Sequence, residues 1–212
     1  MNRLLLPACF GLLPGGAAQA QVLTVRPDSV TQQQSVAAFQ QAINAEFRNP
    51  SESPLSPAAR RAFVSLPFYP TRYAYCVEAT LVRDSTSQPF AMQTSTAQRP
   101  LYRKYGELRF TLQGQAMRLS VYQNQELRKQ AGFADYLFVP FTDLTNGHET
   151  YGGGRYLDLR IPPTNARTMV LDFNKAYNPS CAYRHGYSCP VPPAENRLTI
   201  AIPAGILMRN EE

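Results

Sequence analysis

Between Leu108 and Val121 the chain alternates apolar and polar residues on the way into a Gln113-Gly114 reversal and again on the way out. Leu108, Phe110 and Leu112 lead in; Met117, Leu119 and Val121 lead out. Only a strand puts every second residue on one face, and glycine accepts the positive φ that a tight reversal demands. A hairpin of this kind requires a sheet with one buried face. Related patterns predict further strands over residues 73–82, 90–96, 137–141, 155–161, 168–173 and 197–202. Seven to nine short strands punctuated by turn residues define a mainly β chain, either an antiparallel β-barrel or a β-sandwich.

Helices are predicted ahead of this β core. Val36, Phe39, Ile43 and Phe47 recur at helical spacing, with Ser29 or Thr31 placed to cap the first turn and Asn49-Pro50 to end it. Ser56-Pro57 announces a second, shorter helix running through Arg60-Arg61. The expected layout is one domain, with a helical segment over about 31–65 and a β core over about 67–205.

Residues 1–20 have the form of an export signal. Arg3 precedes the apolar run 4–13, Pro14-Gly15-Gly16 breaks it, and Ala18-Gln19-Ala20 supplies small residues for cleavage. That run is too short and interrupted to span a bilayer, and no later stretch approaches one. The expectation is a monomeric protein acting in the periplasm or outside the cell. Cleavage after Ala20 removes one arginine and no acid, taking the formal net charge from +6 to +5. The basic residues are scattered, which argues against nucleic acid as a partner. Of the four cysteines, Cys9 leaves with the signal. Cys181 and Cys189 are then the disulfide candidates, closing a short loop worth about 2.5 kcal/mol of chain entropy, and Cys76 is a lone packed thiol. Zinc on Cys181, His185 and Cys189 lacks a nearby fourth ligand, so neither a metal nor a cofactor is expected.

Residues 141–204 concentrate glycine, asparagine, proline and isolated charges. Gly152-Gly153-Gly154 allows a bulge or an anion cradle, but neither a phosphate-binding loop nor a dinucleotide fingerprint follows it. In residues 155–161, alternation places Arg155 on the same face as Leu157, Leu159 and Ile161. An inward Arg155 needs a carboxylate, with Asp172 or Glu195 as the expected partner. Tyr151, Tyr156, Tyr177, Tyr183 and Tyr187 offer ring faces with polar tips, suited to a pocket or to a rim. His148 and His185 are the only histidines, and no hydrolase or metalloprotease motif surrounds them. Acid–base chemistry would fall to carboxylate pairs, Glu149 with Asp172 or Asp143 with Glu195.

The blocks FVPFTDLTNGHETYGGGRYLDLRIP, LDFNKAYNPSCAY and SCPVPPAENRLTIAIPAG, with INAEFRNPSESPL and FTLQGQAMRLSVYQN upstream, resemble the bacterial domain-of-unknown-function family 1684. The resemblance covers about residues 43–205. It implies that some relatives carry export signals, and it implies no activity. The chain reads Ala204-Gly205-Ile206-Leu207 where the family usually has AGE and a lysine, so a role for that acid is absent or shifted here.

The expected function is non-covalent binding of a small ligand or envelope partner at a polar corner formed by Asn146, Glu149, Arg155, Asp172, Asn174 and Glu195. A carboxylate-based hydrolase drawing on the same residues and a purely structural envelope protein are the alternatives.

Overall fold

The computed structural model describes residues 26–208, so the predicted export signal lies outside the described residues. Helix α1, Ser29–Arg48, starts from Asp28 rather than from Ser29 or Thr31. The Asp28 carboxylate accepts the N–H groups of Val30 and Thr31 at 2.9 and 3.0 Å. Its negative charge faces the positive end of the helix. Val36, Ile43 and Phe47 are buried along one stripe, as their spacing requires. Gln32 is buried with them, one helical turn before Val36. Helix α2, Pro57–Arg61, is capped by Ser56, whose hydroxyl accepts the Ala59 N–H at 3.2 Å.

Seven strands follow: β1 (Cys76–Arg83), β2 (Phe90–Ala91), β3 (Leu101–Leu112), β4 (Gln115–Asn124), β5 (Tyr136–Phe141), β6 (Arg155–Arg160) and β7 (Thr168–Asp172). All belong to one antiparallel sheet of order β6-β5-β4-β3-β1-β7, with β2 added to β3. The sheet forms a half-barrel, which decides against the sandwich. At the β3–β4 turn, Gln113 and Gly114 both take positive φ, 52° and 75°. That pairing matches the twist of the flanking strands. Between Lys104 and Gly106 the register shifts by a bulge. A Cβ on Gly106 would lie 2.5 Å from the Val82 carbonyl, so only glycine lets β1 approach there.

Tyr156 of β6 and Tyr177, just beyond β7, exchange two backbone hydrogen bonds of 2.9 and 3.0 Å. The two edges of the sheet are thereby stitched together at one point. The inward faces of the strands make the principal core, which Phe173, Leu198, Ile200 and Ile202 complete. On the outer side Met92, Tyr102, Tyr122, Phe138 and Tyr156 form a separate aromatic layer.

Three predicted strands differ, the first only at its start, where Tyr73–Tyr75 form a 3-10 turn ahead of β1. Residues 197–202 form no regular strand, although Arg197 bridges Thr142. The first half of this segment still bonds to neighbouring backbone, through Thr142 to Asn196 and Leu198 and through Leu144 to Ile200, while further on the Asp143 carboxylate accepts the Ile202 N–H and the Arg155 guanidinium donates to the carbonyls of Ile202 and Ala204. Of residues 90–96, only Phe90–Ala91 pairs as a strand. Thr94 and Ser95 instead join the segment around Cys189 and Pro190.

Candidate functional site

Arg155 does point inward, but its partner is Asp143 and not Asp172 or Glu195. The two side chains are 0% exposed and meet at 2.6 Å. The reason is local. The Phe141–Tyr151 turn folds back so that Asp143 sits beside the start of β6, and Asn146 fixes it by accepting the Asp143 N–H at 2.7 Å. The other end of the Asn146 amide donates to Thr150 Oγ1 and to the Tyr151 carbonyl, at 3.0 and 2.8 Å. Gly154, at φ 95°, would place a Cβ 2.8 Å from the Phe141 carbonyl. The glycine run thus serves close passage of β6 under β5, and the Gly154 N–H is itself bonded to the Tyr151 carbonyl.

The six predicted ligand residues do not converge. Asn146 and Arg155 belong to this enclosed knot, and Glu149 is exposed in the same turn. Asp172 and Asn174 lie elsewhere, against α1. Asp172 Oδ2 accepts from Gln32 Nε2 at 3.0 Å, and Asn174 grips the backbone of Arg72 through both ends of its amide, at 2.9 Å each. Glu195 is exposed and accepts the Tyr122 hydroxyl at 2.7 Å. The predicted acid–base pairs are therefore not assembled: the Asp143 side chain has no accessible surface, and Glu149 shares no hydrogen bond with Asp172 among the described residues.

A cleft of about 870 Å³ opens beside the knot. Its walls include Ser95, Thr96, Tyr151, Cys181 and the run from Ala182 to Tyr187. Three of the tyrosines singled out in the sequence, Tyr151, Tyr183 and Tyr187, line it. Arg184 donates to the Tyr187 hydroxyl at 3.1 Å, and its guanidinium lies 5.2 Å from that ring. Cys181 and Cys189 are free thiols here, not the expected disulfide. They are neighbours all the same, with the Cys181 N–H donating to Cys189 Sγ at 3.2 Å. Burial pushes the Cys189 thiol and the Tyr151 phenol up to about 12 each, Cys181 adding to both.

A second cavity, of about 280 Å³, lies under α1 where the β6 and β7 edges approach; Gln32, Cys76, Asp158, Asp172 and Lys175 are on its wall. Asp158 was visible in the sequence only as one charge in an alternating strand. Its Oδ1 accepts two phenols, Tyr136 and Tyr177, at 2.7 Å each. Its surface is open to solvent, yet protein crowds around it, and that burial raises its pKa against the pull of the two phenols and Arg160. Burial, reinforced by Asp172, pushes the Cys76 thiol up to about 11. Gln32 escaped notice because its polarity hid its place on the buried stripe. No group of three or more metal-ligating side chains occurs among the described residues.

An antiparallel half-barrel stitched at one seam, with a packed interior and clefts on its outside, defines a mainly β class, and no described helix is long and apolar enough to cross a bilayer. The chain belongs to the family "Protein of unknown function (DUF1684)", whose model matches residues 61–206. Among solved structures it is similar to an uncharacterised protein from gene locus rrnAC0354 of Haloarcula marismortui, at 32% identity and a TM-score of 0.69. That similarity covers 87% of this chain and 98% of the other. The neighbour is archaeal, so the expected bacterial character does not follow from the likeness. A search of curated proteins finds no match to this chain.

Proposed function

We propose that the protein binds a small aromatic anion, non-covalently and as a monomer, in the cleft lined by Tyr151, Tyr183 and Tyr187. The observation that carries this reading is the lining itself. Its volume of about 870 Å³ suits a small molecule. The tyrosines supply ring faces for stacking. Arg184 and His185 are the basic side chains on the wall, and no carboxylate is among its described residues. Bonded to the Tyr187 hydroxyl and 5.2 Å from that ring, the Arg184 guanidinium is held in place and keeps donors free for a carboxylate or phosphate. Export of the mature chain from Gln21 belongs to the same reading and rests on the pattern of residues 1–20.

Isothermal titration with benzoate, phenyl phosphate and inorganic phosphate tests it. Benzoate and phenyl phosphate are expected to bind, inorganic phosphate more weakly, and Arg184→Gln to weaken both aromatic ligands by about tenfold or more. Absence of heat from all three, or equal binding by the variant, overturns the reading. N-terminal sequencing of protein recovered outside the cytoplasm should begin at Gln21; an intact Met1 there would remove the export part.

A further inference from the structure

The cavity under α1 is a separate place with a different chemistry. Its floor is the outer face of β1 and β7, where Cys76 and Asp172 are paired across the ladder. One side is the β6 edge, with Leu157, Asp158 and Leu159, and the other is the first half of α1 with Gln32 and Ser35. Asp172 is 8% exposed, yet its hydrogen-bond partners carry no charge. Gln32 Nε2 reaches Oδ2, while the N–H and side-chain amide of Asn174 reach Oδ1. Asp158 has Oδ1 occupied by two phenols, and its second oxygen accepts no hydrogen bond among the described residues. Among the described residues neither carboxylate has a cation within ion-pair distance. Lys175, on the same wall, turns its Nζ to Ser35 Oγ at 2.7 Å.

Gln32 supplies an independent sign. It is 1% exposed, its Nε2 is committed to Asp172, and Oε1 at the other end of the same amide has no donor among the described residues. A buried carbonyl oxygen without a partner is costly, and native structures rarely keep one without a use for it. The acceptors present are two carboxylates and an amide oxygen, all oxygen and all short of donors. A primary ammonium carries positive charge and several N–H donors in a small volume, and so matches this set of acceptors. The two carboxylates alone fall short of the ligand set of a divalent cation site.

We propose that the cavity between the β6 and β7 edges, beneath α1, binds the ammonium group of a small primary amine. Gln32 Oε1 and the carboxylates of Asp172 and Asp158 receive its N–H donors. Leu157, Leu159 and Val170 cover its carbon chain. Phenols from Tyr136 and Tyr177 hold the Asp158 carboxylate in position.

The test is a titration of the full mature chain with ethylammonium chloride, followed by amide chemical shifts in two-dimensional NMR. Sodium chloride and tetramethylammonium chloride serve as controls, the second because it carries the charge without any N–H donor. Ethylammonium should give saturable shifts at Gln32, including its side-chain amide, and at the backbone of Asp158 and Asp172; the controls should not. Asp158→Asn, a change at a solvent-exposed position, should weaken the binding by about tenfold with the rest of the spectrum unchanged. Asp172→Asn should do the same; if that variant unfolds, Asp158→Asn decides alone. Shifts that do not saturate, equal shifts with tetramethylammonium, or an Asp158→Asn variant that binds as tightly as the parent would overturn the proposal.

Discussion

At Arg155 a permanent charge sits where no water reaches it. Asp143 neutralises it at 2.6 Å, and the carbonyls of Ile202 and Ala204 take further donors. Such a pair adds little net stability relative to an apolar replacement of both partners, but removing one partner strands the other charge. Asp143→Asn should therefore cost about 3–5 kcal/mol in urea unfolding. Alternation in β6 revealed that Arg155 faces inward. Its partner stayed hidden because Asp143, Asp172 and Glu195 are equivalent in sequence, and the choice rests on how the Asn146 turn folds. Asp158 behaves differently. Its carboxyl titrates above its usual 3.8, so the folded chain holds that proton more tightly than the unfolded one. Through this group stability rises as pH falls from neutral through the raised pKa, and the gain is complete below about 3.8. Asp158→Asn should hold or raise the urea midpoint at neutral pH and shrink the gain seen on acidification. An equal loss at both pH values would assign the effect to the Tyr136 and Tyr177 hydrogen bonds instead of to charge.

Among the elements, the strands whose partners follow them directly were the most legible. The β3–β4 hairpin, with alternating faces and a glycine at the reversal, is fixed by local pattern alone. Residues 197–202 alternate just as well, yet form only one bridge: backbone bonds to Thr142 and Leu144 hold the first half, and the Asp143 and Arg155 side chains take the groups of Ile202 and Ala204 beyond it. Asn196 is buried completely; it accepts the Ser120 N–H at 2.7 Å and donates to the carbonyls of Ser120 and Pro140 at 2.9 and 2.7 Å. A side-chain amide thus bridges β4 and β5 where their direct ladder is short. Sequence reading cannot separate this from ordinary turn chemistry, for which asparagine is equally suited. Asn196→Leu leaves three backbone groups without partners and should cost about 3 kcal/mol or more. Faster exchange of the Ser120 amide would locate the loss at this bridge. At the bulge, Gly106→Ala drives a methyl into the Val82 carbonyl and should cost about 1–3 kcal/mol by the same unfolding measurement.

On the scale of the whole molecule, the N-terminal helices and the β core were visible in the sequence, while the clefts were not. Pockets are formed by residues from remote segments: Ser95 and Thr96 meet Cys181 and Tyr187, and Gln32 meets Asp158 and Asp172. The neighbouring thiols of Cys181 and Cys189 make the first cleft sensitive to oxidation, because the chain between them forms its wall. Treatment with diamide should remove two titratable thiols within one chain, leave the buried Cys76, and raise stability by about 2.5 kcal/mol. Mass spectrometry after alkylation counts the thiols, and a lowered urea midpoint would mean that the bond strains the loop.

The hydrogen bond from Gln32 to Asp172 spans 140 positions. α1 is made first, but the surface it rests on includes β7, the last strand to be synthesised. Until β7 has left the ribosome, the Gln32 amide of this helix has no carboxylate to rest on.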